Sequence, residues 1–237
     1  MSSHKNSKRH SKQNKKLIAI VIGIVVIIAI IIAVAMASKN HGFHETAEST
    51  SYSLENNLEI SSIGSYDGPF LEDGSNEEVS DVLMITLKNN GTQTLQYAEL
   101  TLECKDGIAE FAFSTLAPNE EMIVLEANRL SYAKGMNDIK NAVLDNVVFF
   151  EEEPTLCADM VQISTLDGAM NIENISGSDI TGRVIVYYKN YQDDTYQGGI
   201  TYRAIIEDGI EAGGIKQIMT SHFFADSSKI VFVTCGQ

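Results

Sequence analysis

The sequence has no Trp, only three Cys and only three Pro among its 237 residues. So few Cys exclude a disulfide framework, and the composition as a whole excludes collagen-like and low-complexity chains. Cations are also scarce, with 17 Lys and Arg against 32 Asp and Glu, which gives a net charge of -15. The average field of such a chain repels nucleic acid, so no nucleic-acid partner is expected.

Motifs that carry catalysis are absent as well. The sequence contains no G-x-S-x-G, H-E-x-x-H, Walker A, EF-hand loop or Cys-x-x-Cys. His222 is the single histidine after residue 44, and its aromatic neighbours favour packing over base chemistry. We therefore predict no enzyme activity, no catalytic residues, no cofactor and no metal site. Two alternatives remain open, a calcium ion at residues 151–153 and a glycosidase pair among the scattered carboxylates.

The cations that are present cluster at the start of the chain. Six of the 17 fall within residues 1–16, which contain no acid, and residues 17–37 form an uncharged, almost entirely aliphatic run. A helix of that length crosses about 30 Å of hydrocarbon. This predicts a cytoplasmic tail at 1–16, a transmembrane helix at 17–37 in contact with membrane lipid, and an extracytoplasmic remainder, because Lys and Arg beside a span stay in the cytoplasm. A cleaved signal peptide ending at Ala35-Met36-Ala37 is the alternative, which the length of the run disfavours.

The rest of the chain has a β pattern. Residues 38–53 are polar and without periodicity, which predicts a short stalk. Short runs rich in β-branched and aromatic residues follow, separated by Gly, Asn, Asp and Ser; in Val82–Lys88, Leu83, Ile85 and Leu87 share one face. We predict a mainly β fold with two tandem β-sandwich domains.

An internal repeat supports the division into two. With a shift of 85 residues, Asn89 aligns with Asn174, and ITLKNNGTQTLQYAELTL (85–102) faces MNIENISGSDITGRVIVY (170–187). Both copies predict a strand that ends at Asn, a polar turn and a second strand. Later strands align only if the second copy has an insertion of about nine residues around Tyr191–Gly199. The predicted domains are 54–153 and 154–237.

The first copy resembles the FxLYD-type domain, an immunoglobulin-like fold of membrane-anchored or secreted bacterial envelope proteins. The segments that carry the resemblance are Asn89-Asn90-Gly91, LTLECKDG (100–107), LAPNEE (116–121) and MIVL (122–125). The chain departs from the family where Leu-Tyr-Asp would stand, and the second copy has Val186-Tyr187-Tyr188-Lys189-Asn190 instead. The resemblance implies the fold and an envelope location.

Tyrosines mark a candidate partner-binding surface, since five of the nine lie within residues 187–202. Consecutive strand residues point to opposite faces, so Tyr188 points outward if Tyr187 points inward like Leu102. The predicted surface consists of Tyr188, Tyr191, Asp193, Asp194 and Tyr196, with an envelope protein or glycan as the partner. The alternative is that these tyrosines simply favour strands.

The sequence has three cysteines, so at least one of them cannot pair within the chain. Cys104 shares parity with Leu100 and Leu102, which predicts that it is buried. Cys157 and Cys235 open and close the second copy, where terminal strands can lie side by side, and this indicates a possible disulfide.

Together these features predict a non-catalytic, membrane-anchored, extracytoplasmic protein that binds or scaffolds another component of the bacterial cell envelope. The alternative is an accessory subunit that docks through residues 17–37 into a transport, secretion or wall-synthesis complex.

Overall fold

A computed structural model describes residues 44–236, which belong to one compact unit. The fold of these residues is mainly β with several sheets, as the sequence predicts. Within them no helix has the length and apolarity that a membrane crossing needs. The predicted tail, the predicted span at 17–37 and the first part of the predicted stalk lie outside the described residues.

Seven strands cover the first part of the described chain: β1 (His44–Ser53), β2 (Leu58–Pro69), β3 (Glu78–Asn89), β4 (Leu95–Cys104), β5 (Gly107–Leu116), β6 (Glu121–Leu125) and β7 (Ile139–Phe149). Six more follow: β8 (Val161–Leu166), β9 (Ala169–Asn174), β10 (Val184–Gln192), β11 (Thr195–Ile206), β12 (Ile215–Met219) and β13 (Ser228–Cys235). Short 3-10 helices occupy Glu55–Asn57 and Lys134–Asn137.

These strands form three sheets. One has seven strands in the order β1-β2-β3-β6-β11-β10-β13, and two have three strands, β5-β4-β7 and β12-β9-β8. The strands before residue 150 and those after residue 160 use the same plan. In the first half β2-β3-β6 faces β5-β4-β7, and in the second half β8-β9-β12 faces β11-β10-β13.

Each half encloses its own hydrophobic cluster between its two sheets. In the first half, alternate residues Leu83, Ile85 and Leu87 of β3 pack against β4 and β5, which contribute Leu100, Phe111 and others. In the second half, Met170 and Ile172 of β9 pack against Val184 and Val186 of β10. The alternation predicted for Val82–Lys88 is therefore confirmed.

The repeat is visible in atomic detail at its two asparagines, both fully buried. Asn89 donates its side-chain amide to the carbonyls of Gln93 (2.9 Å) and Leu116 (2.9 Å). Asn174 donates to Ser178 (2.7 Å) and Ile210 (2.9 Å). Gln93 and Ser178 each follow their asparagine by four residues. Leu116 follows Asn89 by 27 residues, whereas Ile210 follows Asn174 by 36, so the second copy is longer by nine residues in this segment.

The first copy also shows that the stalk prediction was wrong for residues 44–53. These residues form β1, which pairs antiparallel with β2 from His44↔Asp67 to Ser53↔Glu59. A polar segment without apolar periodicity can still serve as an edge strand, because an edge strand needs backbone pairing on one side and can expose its side chains.

The halves differ from two separate tandem units in one respect, since they share the seven-stranded sheet. Strand β6 of the first half pairs parallel with β11 of the second at Tyr196↔Met122 and Gln197↔Ile123. We call this place and the residues around it, Glu72, Ser114, Glu120, Lys189 and Gly199, the junction.

Candidate functional site

The hairpin of β10 and β11 places the predicted tyrosines at the junction. It turns at Asp193 and Asp194, which both have positive φ (47° and 63°), and its arms pair from Gln192↔Thr195 inward. The hairpin lies within the part of the repeat that is longer by nine residues. The extra length therefore brings β11 alongside β6.

Two of the five predicted surface residues are buried. Tyr188 is 2% exposed and packs in the second cluster, where its ring stacks with Tyr202 at 5.5 Å and meets Phe223 edge-on at 5.4 Å. Tyr196 is also 2% exposed and belongs to the first cluster. Tyr191 is half-buried, and Asp193 and Asp194 are exposed.

The prediction that Tyr188 points outward was therefore wrong. The alignment of the two copies holds as far as Ile180, which is buried like its counterpart Leu95 and forms a β-bridge with Ile210. It is off by one residue from Val184, where β10 begins. The irregular segment between them includes Gly182 at φ 85°. One residue of slip reverses which side chains face the core, so Val184, Val186 and Tyr188 point inward.

Tyr196 and Lys229 of the second half contact Glu120 of the first half through hydrogen bonds. The Tyr196 hydroxyl donates to Glu120 Oε1 at 3.1 Å, and Lys229 Nζ donates to the same oxygen at 3.2 Å. The Lys229 ammonium also lies over the rings of Tyr191 (5.0 Å) and Tyr196 (5.3 Å). Burial, followed by the Glu120 charge, raises the pKa of Tyr196 to about 12, so this phenol remains a donor at neutral pH. Tyr196 therefore acts within the chain, between its halves.

Glu72 holds the junction on its other side. It belongs to the β2–β3 loop (residues 70–77), which reaches from the first half to the second. Its Oε1 accepts from the amides of Leu125 in β6 (2.8 Å) and Gly199 in β11 (2.9 Å), and its Oε2 accepts from Gly199 at 2.9 Å. The carboxylate thus bridges the two strands just beyond their two paired positions.

A fully buried lysine lies close to this carboxylate. Lys189 donates from Nζ to the carbonyls of Ser114 (2.7 Å) and Gly199 (3.0 Å), again one from each half. Burial lowers the pKa of Lys189 to about 7 and raises that of Glu72 to about 7, while each charge partly offsets the shift of the other. The junction therefore contains two groups whose protonation changes near neutral pH.

Two further contacts of the β2–β3 loop reach the second half. The Tyr202 hydroxyl donates to the Leu71 carbonyl at 3.3 Å, and Asn76 hydrogen-bonds with His222 Nδ1 at 3.2 Å. His222 stacks on Tyr202 with 4.5 Å between ring centroids, and burial lowers its pKa. His222 thus packs against aromatics, as the sequence indicates, and it also joins the halves.

Arg129 fixes the same loop from the first half. Its guanidinium pairs with Asp73 (2.9 Å) and Glu77 (2.6 Å) and lies 4.5 Å from the centroid of the Phe70 ring. A groove of about 400 Å³ lies beside these residues; its lining includes Phe70, Glu72, Leu125, Arg129 and Ile200. The charged side chains that line the groove already pair within the chain, and these contacts hold the β2–β3 loop in place.

The predicted cysteine pair comes together at the far side of the second half. Cys157 and Cys235 are both free and half-buried against the second cluster, and the Cys157 thiol donates to the carbonyl of Val233, two residues before Cys235, at 3.2 Å. Cys104 is buried in the first cluster, as its parity predicts.

Within residues 44–236, no group of three or more His, Cys, Asp or Glu side chains is arranged to hold a metal ion. No family model matches the sequence. No curated protein matches it either.

The junction is the feature that sequence reasoning missed. The nine-residue insertion, the tyrosine cluster and Lys189 inside a β-branched strand all lie there, and together they signal a special structural role. They do not reveal the strand that β11 pairs with, because parallel pairing across 74 residues leaves no local pattern.

Proposed function

We propose that this protein is a membrane-anchored, extracytoplasmic binding or scaffolding protein of the bacterial cell envelope without catalytic activity. In this proposal its two halves are immunoglobulin-like sandwiches, residues 17–37 are the anchor, and residues 1–16 lie in the cytoplasm. The observation that carries the scaffolding role is the shared seven-stranded sheet, which fuses two sandwiches into one body.

A fused body suits a scaffold because the relative position of its ends is fixed. Domains joined by a peptide alone move with respect to each other unless their interface is large and apolar. Here β-pairing, the Glu72 bridge and the Tyr196–Glu120 contact act together at one place. Holding an envelope partner at a set distance from the membrane needs such a fixed geometry and no reactive group.

The surface that we propose for the partner is smaller than the sequence predicts. Tyr191, Asp193 and Asp194 remain at the hairpin tip, where the Tyr191 hydroxyl donates to Asp194 Oδ1 at 3.1 Å. A half-exposed aromatic ring beside two exposed carboxylates suits a protein or glycan partner that offers cationic or hydroxyl groups. Tyr188 and Tyr196 support this tip from within.

Topology is tested first. Protease added to intact spheroplasts that make the full chain should digest residues after Ser38 and leave the basic tail protected. A tag at residue 237 should disappear while a tag at residue 1 survives. Protection of the C-terminal tag would contradict the anchor and its orientation.

The partner is tested by site-specific crosslinking in the same cells. A photoreactive amino acid replaces Asp193 in one strain and the exposed Glu152, in the segment between the halves, in a matched control strain. A band that appears only with the probe at 193 supports the hairpin tip. Identical bands in both strains would contradict it.

A span exchange separates this proposal from docking through the membrane. Residues 17–37 are replaced by an unrelated apolar span of equal length, and the crosslink at position 193 is measured again. The crosslink persists if the outer body binds the partner. Its loss, with the outer body still exposed to protease, favours the accessory-subunit alternative.

A further inference from the structure

The segment between the two halves returns to lie along the last strand of the chain. The amide of Val233 donates to the Thr155 carbonyl at 2.8 Å, and the Cys157 thiol donates to the Val233 carbonyl at 3.2 Å. Strand β13 pairs on its other side with β10, from Asn190↔Ser228 to Val184↔Cys235. Residues 155–157 therefore cover part of an edge of the seven-stranded sheet.

The same arrangement brings two cysteines together from opposite ends of the second half. Cys235 lies two residues beyond Val233 on β13, so both side chains are on the same face of the strand, against the second cluster. Cys157 packs against that cluster from the covering segment. Its backbone is left-handed, with φ 48°, a conformation that non-glycine residues seldom adopt without a structural reason.

We propose that Cys157 and Cys235 are the site of an intramolecular disulfide, formed by exchange with a small or protein disulfide; only the place of this exchange, outside the cytoplasm, rests on the proposed function. The Cys157 thiol donates to the carbonyl of Val233, which stands two residues before Cys235 on β13, and both cysteines are half-buried, so a small oxidant reaches them without unfolding of the chain. Cys104 is buried in the first half's cluster and takes no part.

The reaction balances as a two-step exchange. The Cys157 thiolate attacks a disulfide RS–SR, which forms a Cys157–S–SR bond and releases RS⁻. The Cys235 thiolate then attacks the Cys157 sulfur, which closes the bridge and releases a second RS⁻. The two cysteines lose two protons and two electrons, and RS–SR gains them to become two RSH.

Protonation of Cys235 controls the speed of closure. Burial, the largest cause, raises the pKa of the Cys235 thiol above its ordinary value, and this cause persists when Cys157 is in the mixed disulfide. Since the thiolate is the attacking form, closure should become about tenfold faster for each pH unit between 7 and 9. Once formed, the bridge holds the covering segment on β13 and shields this sheet edge from pairing with other strands.

The test uses the purified full-length chain in detergent, incubated with oxidised glutathione, then unfolded without reductant and alkylated. One alkylated thiol is expected, at Cys104, against three after reduction, together with a cross-linked peptide that contains Cys157 and Cys235. Three alkylated thiols, a bridge to Cys104 or a disulfide-linked dimer would overturn the proposal. The outcome does not depend on the proposed function, because neither a membrane nor a partner takes part.

Thermal unfolding supplies a second readout with a matched control. Oxidation should raise Tm by roughly 5–15 °C in the native sequence and in Cys104→Ser, because the bridge closes a long loop. Cys157→Ser and Cys235→Ser should each lose the whole rise. If either single variant still gains Tm on oxidation, the stabilisation has another source and the bridge is rejected.

Discussion

Gly199 of the second half lies so close to Ala112 of the first that no side chain fits between them. A β-carbon at position 199 would stand 2.2 Å from the Ala112 carbonyl oxygen and 3.0 Å from Val124 Cγ1. The close approach lets the Gly199 amide reach Glu72 while its carbonyl accepts from Lys189. The junction thus depends on a missing methyl group.

Gly199→Ala should consequently lower the free energy of unfolding by about 3 kcal/mol, since the clash is with backbone and cannot be relieved by a rotamer change. The matched control is Gly177→Ala, where a β-carbon meets nothing within 4 Å and only the positive φ of 77° opposes it. That control should cost about 1 kcal/mol. Urea denaturation measures both, and equal losses would contradict the tight junction.

Glu72 predicts a pH dependence of stability. Its pKa is 4.5 in an ordinary environment and about 7 in the folded protein, so the folded state holds this proton more tightly than the unfolded chain. Glu72 therefore contributes stability that is complete below pH 4.5 and is lost as the pH rises to 7. Lys189 acts in the opposite sense, because its lowered pKa removes stability as the pH falls from 10.5 to 7.

In Glu72→Gln the loss between pH 4.5 and 7 should disappear, because the amide does not titrate. The measurement is urea denaturation across pH 4 to 9 for the native sequence, for this variant and for Glu152→Gln as an exposed control. The difference between Glu72→Gln and the native sequence should change only below pH 7. A constant difference over the whole range would show that Glu72 titrates normally.

The two buried asparagines predict similar losses of stability when either Asn89 or Asn174 is replaced. Asn89→Ala leaves the carbonyls of Gln93 and Leu116 without their donor and the Gly91 amide without its acceptor. We expect a loss of about 3 kcal/mol, and a similar loss for Asn174→Ala. Asn90→Ala, which removes a single exposed bond to Glu59, should cost less than about 0.5 kcal/mol. A small effect at Asn89 or Asn174 would show that their bonds are dispensable.

Substitution of Tyr188 and of Tyr191 should distinguish a core residue from a surface residue. Tyr188→Ser removes a ring from the second cluster and should destabilise by about 3–5 kcal/mol. Tyr191→Ser should destabilise far less, because that ring is half-buried, and should weaken the crosslink from position 193. Circular dichroism melts and the crosslinking assay measure the two effects. Equal destabilisation by both substitutions would assign Tyr191 to the core as well.

The inward face of β3 and the internal repeat were predictable from the sequence. The alternation in Val82–Lys88 set the inward face of β3, and the Asn89–Asn174 alignment with an insertion of about nine residues matches the hydrogen bonds of both halves. Strand periodicity depends on neighbouring residues, and the repeat is found by aligning the sequence with itself, so neither requires knowledge of the fold.

Tyr188 and Glu72 show where such reasoning stops. The predicted direction of Tyr188 assumed unbroken strand alternation from Ile180 onward. One irregular residue near Gly182 reverses which side chains after it face the core. Glu72 looked like one acid among many, since its partners Leu125 and Gly199 are 53 and 127 residues away. Burial of a carboxylate against distant backbone amides has no sequence pattern.

The way in which the halves are joined also sets how the chain would respond to force. A pull on the C-terminal half acts on the junction, where two paired positions and a few side-chain contacts join the halves, while many more hydrogen bonds hold each half. The junction would therefore open first, which removes Tyr196 from the first cluster and lets residues 150–154 extend by up to about 17 Å. The reach of the protein would then have two stable lengths, a short one with the sheet closed and a longer one with it open.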